Sequence, residues 1–177
     1  MTLITTKRLL REHGACRAGY AGLLRHLRTL GTYRQDTPIP LTVVLDSNSL
    51  EDTLWCLRAV PPEQAAERDR IARWYAADEA ESVLHLWEAR YPRDYIPHVA
   101  ISTARRHALG LATDTELAAV RDNAWAAAAW SAVRDNAWDA AWAAAVEAGS
   151  GEASAHRLRV LLEHPDWAGL PPLRAQP

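Results

Sequence analysis

Only a few residues in this chain have a type and spacing suited to chemistry. Glu81, His85 and Glu88 follow one another at i, i+4 and i+7. On an unbroken helix they would share a face and offer a metal ion two carboxylates and one imidazole. The same spacing is also that of an ordinary solvated polar face. Asp94 and His98 flank Pro97 and could act as a general-base pair, although Asp94 also suits capping of the helix that follows. Cys16 and Cys56 are the two cysteines, and neither has a metal or redox spacing. Both lie in Leu- and Ala-rich helical stretches and read as buried free thiols in a reducing compartment. There is no Gly-rich phosphate loop, nucleophile elbow, paired-histidine face or cysteine knuckle. The chain therefore reads as non-enzymatic and free of cofactors or metals.

Length and composition point to a single domain. The chain has 177 residues, 49% apolar and 24% charged, so it can build a substantial core and is not a disordered sequence. It has 8 Trp and no Phe, and of its 20 basic residues only Lys7 is a lysine. A net charge of −2 excludes a uniformly basic nucleic-acid binder. That small total conceals an asymmetry. Residues 1–34 carry seven basic side chains against Glu12, whereas residues 110–152 carry seven acids against Arg121 and Arg134. The basic segment includes Arg17, Arg25 and Arg28, a candidate surface for an acidic partner. Asp78, Glu79 and Glu81 are candidates for meeting a basic one. No aromatic interleaving, recognition-helix motif or zinc pattern marks the basic segment as a nucleic-acid reader. No signal peptide and no uncharged apolar window of about 18 residues is present, which predicts a cytoplasmic protein without a membrane partner.

Gly and Pro divide the chain into helices that must position these groups. Thr5 or Thr6 caps a short helix ending at Gly14. A second runs from Ala15 to Leu30, with Gly31 as its C′ residue. Residues 31–39 read as a loop. Pro40 opens a short helix at 41–46, with the β-branched pair Val43 and Val44 leaving a strand as the lesser option. Ser49 starts a helix that ends before Pro61. Pro62 starts another reaching Tyr91, with a break near Asp78 as the lesser option. A further helix runs from Pro97 to Leu109, and a last one covers residues 153–163. Thr113-Asp-Thr-Glu116 is a capping box opening the longest segment, about residues 114–148. The fold class that follows is all-α: a single antiparallel bundle or array of seven to eight helices over residues 1–168, with a fraying tail at 169–177.

Residues 111–148 hold 16 of the 34 alanines and four tryptophans. They also contain a repeat, Val120-Arg-Asp-Asn-Ala-Trp125 and Val133-Arg-Asp-Asn-Ala-Trp138. The period of 13 turns a helix by about 220°, which fits neither a coiled coil nor a solenoid. With Trp125 at 0°, Trp130, Trp138 and Trp142 fall near 140°, 220° and 260° (about 100° per residue), a core-like face. Arg121, Asp122, Asp135 and Asp139 share the opposite polar arc with Trp125. These five residues, with Arg17, Arg25 and Arg28, are the candidate partner-binding set, since exposed Trp and Arg are enriched in binding hot spots.

Two segments carry a resemblance. Asp46-Ser-Asn-Ser-Leu-Glu-Asp-Thr-Leu-Trp-Cys-Leu-Arg-Ala-Val60 resembles a stretch in a family of small helical immunity proteins. The Ala-Trp-Asp-rich stretch after Gly110 is similar to the Ala-Arg-Asp-Ala-Ala-Trp runs of that family, and the match spans residues 45–165. The resemblance implies neutralisation of a bacterial toxin or defence protein by tight binding. In a phage, the same scaffold implies an anti-CRISPR or other anti-defence role. It supplies no catalytic residues, and the basic segment 1–34 lies outside it. An enzyme with a dispersed bundle site around Glu81, His85 and Glu88 is one alternative, and a nucleic-acid module using residues 7–34 is another.

Overall fold

The structure, a computed structural model, describes residues 2–31, 33–120, 122 and 152–164. The protein is all-α with one very small sheet. Among the described residues the α-helices are α1 Lys7–Glu12, α2 Arg17–Leu30, α3 Leu41–Ser47, α4 Leu50–Cys56, α5 Ala65–Ser82, α6 Leu84–Arg90, α7 Ile96–Ala108 and α8 Glu152–Glu163. Two 3₁₀ turns, Leu57–Ala59 and Pro62–Gln64, join α4 to α5. Residues 114–120 are helical, as the Thr113 capping box requires: Thr113 Oγ1 accepts from the Glu116 N–H, and Glu116 Oε2 accepts from the Thr113 N–H. The rest of the Ala/Trp-rich segment, and the tail, lie outside the described residues. No helix among the described residues is long and apolar enough to cross a membrane.

The chain forms two compact units. The division falls inside α5 after Ala72 and inside α8 after Arg157. In the first unit a two-residue ladder closes the N-terminus. β1 Ile4–Thr5 pairs antiparallel with β2 Ile39–Pro40, Ile4 opposite Pro40 and Thr5 opposite Ile39. Periodicity could not reveal this ladder, because each strand has two residues and one contains proline. Pro40 has no N–H to give a further neighbour and sits where a ladder ends. The other side of β1 is finished by a side chain. Gln64, 5% exposed, accepts from the Ile4 N–H at 3.0 Å and donates to the Thr2 carbonyl at 3.0 Å. A buried amide thus does the work of a third strand for the Ile4 N–H and the Thr2 carbonyl.

Helix caps in this unit follow the sequence closely. Thr6 Oγ1 accepts from the Leu9 N–H, and Ser49 Oγ accepts from the Asp52 N–H. Gly31 ends α2 at φ +135°, a conformation that a Cβ would strain. Val43 and Val44 are helical, within α3, which packs against α2 and α4. Leu3, Leu10, Leu27, Ile39, Leu41 and Val44 are fully buried and form the centre of this core.

The second unit is built from α5 beyond Ala72, α6, α7 and the first half of α8. Trp74, Tyr75 and Ile101 are buried there. The chain does not run as one helix from Pro62 to Tyr91. It breaks at Val83, with φ −108° and ψ 2°, rather than near Asp78. Gly110, at φ +71°, closes α7, and the Leu111 N–H returns to the Arg106 carbonyl at 2.7 Å.

Candidate functional site

α2 presents two different faces, and its sequence explains both. Leu23 and Leu27 are buried, and Tyr20 and Leu24 are half-buried. The remaining arc is basic. Arg17, Arg25 and Arg28, at i, i+8 and i+11, fall within about 80° of one another on the helix. Ala21 lies between them at i+4 and leaves the stripe open. The stripe extends about 16 Å along the axis. All three arginines are exposed, and none has a salt bridge among the described residues. The three candidate residues of the N-terminal segment therefore do come together on one face.

Two other arginines in the same unit are used internally. Arg8 binds Asp36 at 2.6 Å and Glu12 at 3.1 Å, and these two carboxylates hold its guanidinium above the usual pKa. Arg159 of α8 pairs with Asp46 at 2.5 Å. The α2 stripe is distinguished by setting three arginines, unpaired among the described residues, on one face of a helix.

The inner face of α2 borders a cavity of about 220 Å³. Leu10, Leu23, Val44 and Cys56 form its buried part, and Tyr20 and Trp55 its aromatic sides. Cys16, Asn48, Glu51 and Asp52 bring polar atoms to it. Three of these also organise the helix ends. Cys16 is the N-cap of α2, and its Sγ accepts from the Gly19 N–H at 3.3 Å. Asn48 Nδ2 donates to the Gly19 carbonyl and to Asp52 Oδ2, both at 2.9 Å. A Cβ on Gly19 would stand 2.9 Å from Asp52 Oδ2, so only glycine lets this carboxylate lie against α2. Asp52 is thus held by the Asn48 amide against α2 rather than turned back onto the Ser49 N–H of its own helix start. The cysteines depart from expectation. Both are free, but only Cys56 is buried, whereas Cys16 is exposed at the helix end. Both line the one cavity. Desolvation, with the charge of Asp52 and the Cys16 sulfur as lesser causes, pushes the Cys56 thiol up to about 12.

The second unit corrects two expectations. Asp78, Glu79 and Glu81 are not an open acidic face. Arg105 holds Glu81 with two bonds, at 2.7 and 3.0 Å, and holds Asp78 through Nη2. Arg157, 8% exposed, binds Glu79 Oε1 at 2.6 Å, while Ser154 Oγ donates to Glu79 Oε2 at 2.8 Å. These carboxylates are neutralised from within by arginines far away in sequence, which local charge counting cannot see. Glu81, His85 and Glu88 also fail as a metal face. The break at Val83 separates Glu81 from the other two, Glu81 is held by Arg105, and Glu88 pairs with His98 at 3.1 Å. No group of three or more metal-ligating side chains occurs among the described residues. Asp94 Oδ1 accepts from the Ile96 N–H at 2.9 Å, a helix-start role rather than that of a base beside His98. Asp122 is exposed at a helical position. Arg121, Trp125, Asp135 and Asp139 lie outside the described residues.

With the geometry of both faces of α2 in place, comparison with known proteins adds no assignment: no family model, curated protein or solved structure matches the chain.

Proposed function

We propose that this protein is a non-enzymatic binding protein that neutralises a bacterial toxin or defence protein by occluding its surface, engaging an acidic face of that partner with α2. The observation that carries the reading is the stripe of Arg17, Arg25 and Arg28, exposed on one helix and free of internal carboxylates. A preformed helix spares the cost of ordering backbone on binding, and the arginines offer planar forks that fit carboxylates in pairs. Their field steers an acidic partner and raises its rate of encounter. The immunity-protein resemblance of residues 45–165 supports the same reading, as does the phage anti-defence alternative, in which the partner is a defence component. The two differ in partner and share the surface. A pull-down of host proteins with the wild-type chain and with an Arg17→Glu/Arg25→Glu/Arg28→Glu variant tests it. The expected result is an acidic protein partner captured by the first and lost by the second. Capture of nucleic acid in place of protein, with affinity falling steeply with salt, would replace this reading with the nucleic-acid one.

A further inference from the structure

The cavity beside α2 combines features that together define a ligand class. Its buried walls are apolar and two of its sides are aromatic, Tyr20 and Trp55. The only charged groups lining it are Glu51 and Asp52, both carboxylates. Neither has a salt bridge among the described residues; Asp52 Oδ2 takes one hydrogen bond, from the neutral Asn48 amide. The Cys56 thiol, 5% exposed, lines the cavity without a hydrogen-bond partner among the described residues. A closed apolar cavity of about 150 Å³ is large enough for benzene. At about 220 Å³ this one has room for a single ring and a short arm.

We infer that this cavity is a binding site for a small organic cation, a protonated arylalkylamine whose ring lies between Tyr20 and Trp55 and whose ammonium group meets Asp52 and Glu51. The apolar walls favour a ring by the area it removes from water. The aromatic faces suit a cation or its adjacent methylenes. The carboxylates reject an anion of the same shape, because its charge would be buried against theirs. Gly19 belongs to the site by omission: a side chain there would displace the Asp52 carboxylate. The site is distinct from the arginine stripe, which lies on the other side of the helix, and each can fail without the other.

Isothermal titration calorimetry on the full chain tests this with 2-phenylethylamine, 3-phenylpropionate and 2-phenylethanol. The amine is expected to bind with a Kd below about 1 mM, the scale for a ligand of its size. The alcohol is expected to bind at least about tenfold more weakly, and the carboxylate not at all. Asp52→Asn should weaken the amine by about tenfold, and Ala15→Phe, which fills the cavity, should abolish binding with the helical circular dichroism intact. Should Asp52→Asn fail to fold, Glu51→Gln, on an exposed side chain, serves in its place with an expected loss of about threefold. Failure of the amine to bind at about 10 mM, equal affinity for the amine and the carboxylate, or an unchanged Kd in the folded carboxylate variant would each overturn the proposal.

Discussion

Three groups of side chains show how far residue type alone can be read. The two cysteines look alike in sequence, each within a run of Leu and Ala, yet one caps a helix in solvent and the other is desolvated beside Asp52. With its thiol near 12, Cys56 is thiolate in only about one molecule in 10⁴ at pH 8. A disulfide reagent at pH 8 should therefore titrate Cys16 promptly and Cys56 only on unfolding, read as one equivalent in the native protein and two in denaturant. Two equally fast equivalents would contradict the burial. The carboxylates held by Arg105 make an opposed pair. Burial raises the Asp78 pKa despite its hydrogen bond to Arg105, whereas that hydrogen bond lowers the pKa of Glu81. Because folding raises Asp78, its contribution to stability is present at low pH and is lost as pH rises through its folded value. Because folding lowers Glu81, its contribution is present above the usual carboxylate range and is lost as pH falls through its depressed value. Urea midpoints at pH 3 and pH 7 should show this. Relative to wild type, Asp78→Asn should fare better at pH 7 than at pH 3, and Glu81→Gln should fare better at pH 3. Parallel changes would remove the assigned causes. The acidic run at residues 78–81 suggested a surface because its partners, Arg105 and Arg157, are 24 or more positions away.

At the scale of elements, most of the helices could be read from their ends. Thr6, Ser49, Thr113, Gly31 and Gly110 each mark a terminus by a local hydrogen bond or a positive φ, and local rules reach that far. What local rules do not reach is set by tertiary partners. The β1–β2 ladder depends on Gln64, some 60 residues away, and the kink at Val83 has no Pro or Gly to announce it. The cavity beside α2 was equally hidden, because Asn48 and Gly19 acquire meaning only once α3 and α4 are laid on α2. The two glycines of α2 can test that packing. A Cβ on Gly22 would stand 3.7 Å from the Asn48 side chain, an ordinary contact, so Gly22→Ala should gain helix propensity of about 0.5–1 kcal/mol. For a chain of this size that is a rise in Tm of about 1–4 °C. Gly19→Ala has the same propensity gain but meets Asp52 Oδ2 at 2.9 Å, so its Tm should stay below that of Gly22→Ala and fall below wild type. Equal gains from both would mean that α2 and the Asn48–Asp52 pair are not packed as described.

At the scale of the whole molecule, the small net charge is the sum of unlike parts. Asp78, Glu79 and Glu81 of the second unit are matched by Arg105 and Arg157, and Arg8 and Arg159 are matched in the first. Arg17, Arg25 and Arg28 are unpaired among the described residues and share one helical stripe, within the segment that charge counting singles out as basic. Recognition of an acidic protein is the role proposed for this stripe. The most direct test measures binding of the captured partner by wild type and by the Arg17→Glu/Arg25→Glu/Arg28→Glu variant at two salt concentrations, with circular dichroism as the control for folding. The account predicts that the folded variant loses at least about 100-fold in affinity, roughly 2.7 kcal/mol spread over three charges, and that the wild-type association rate falls as salt rises. A folded variant that binds the same partner as tightly as wild type would contradict it.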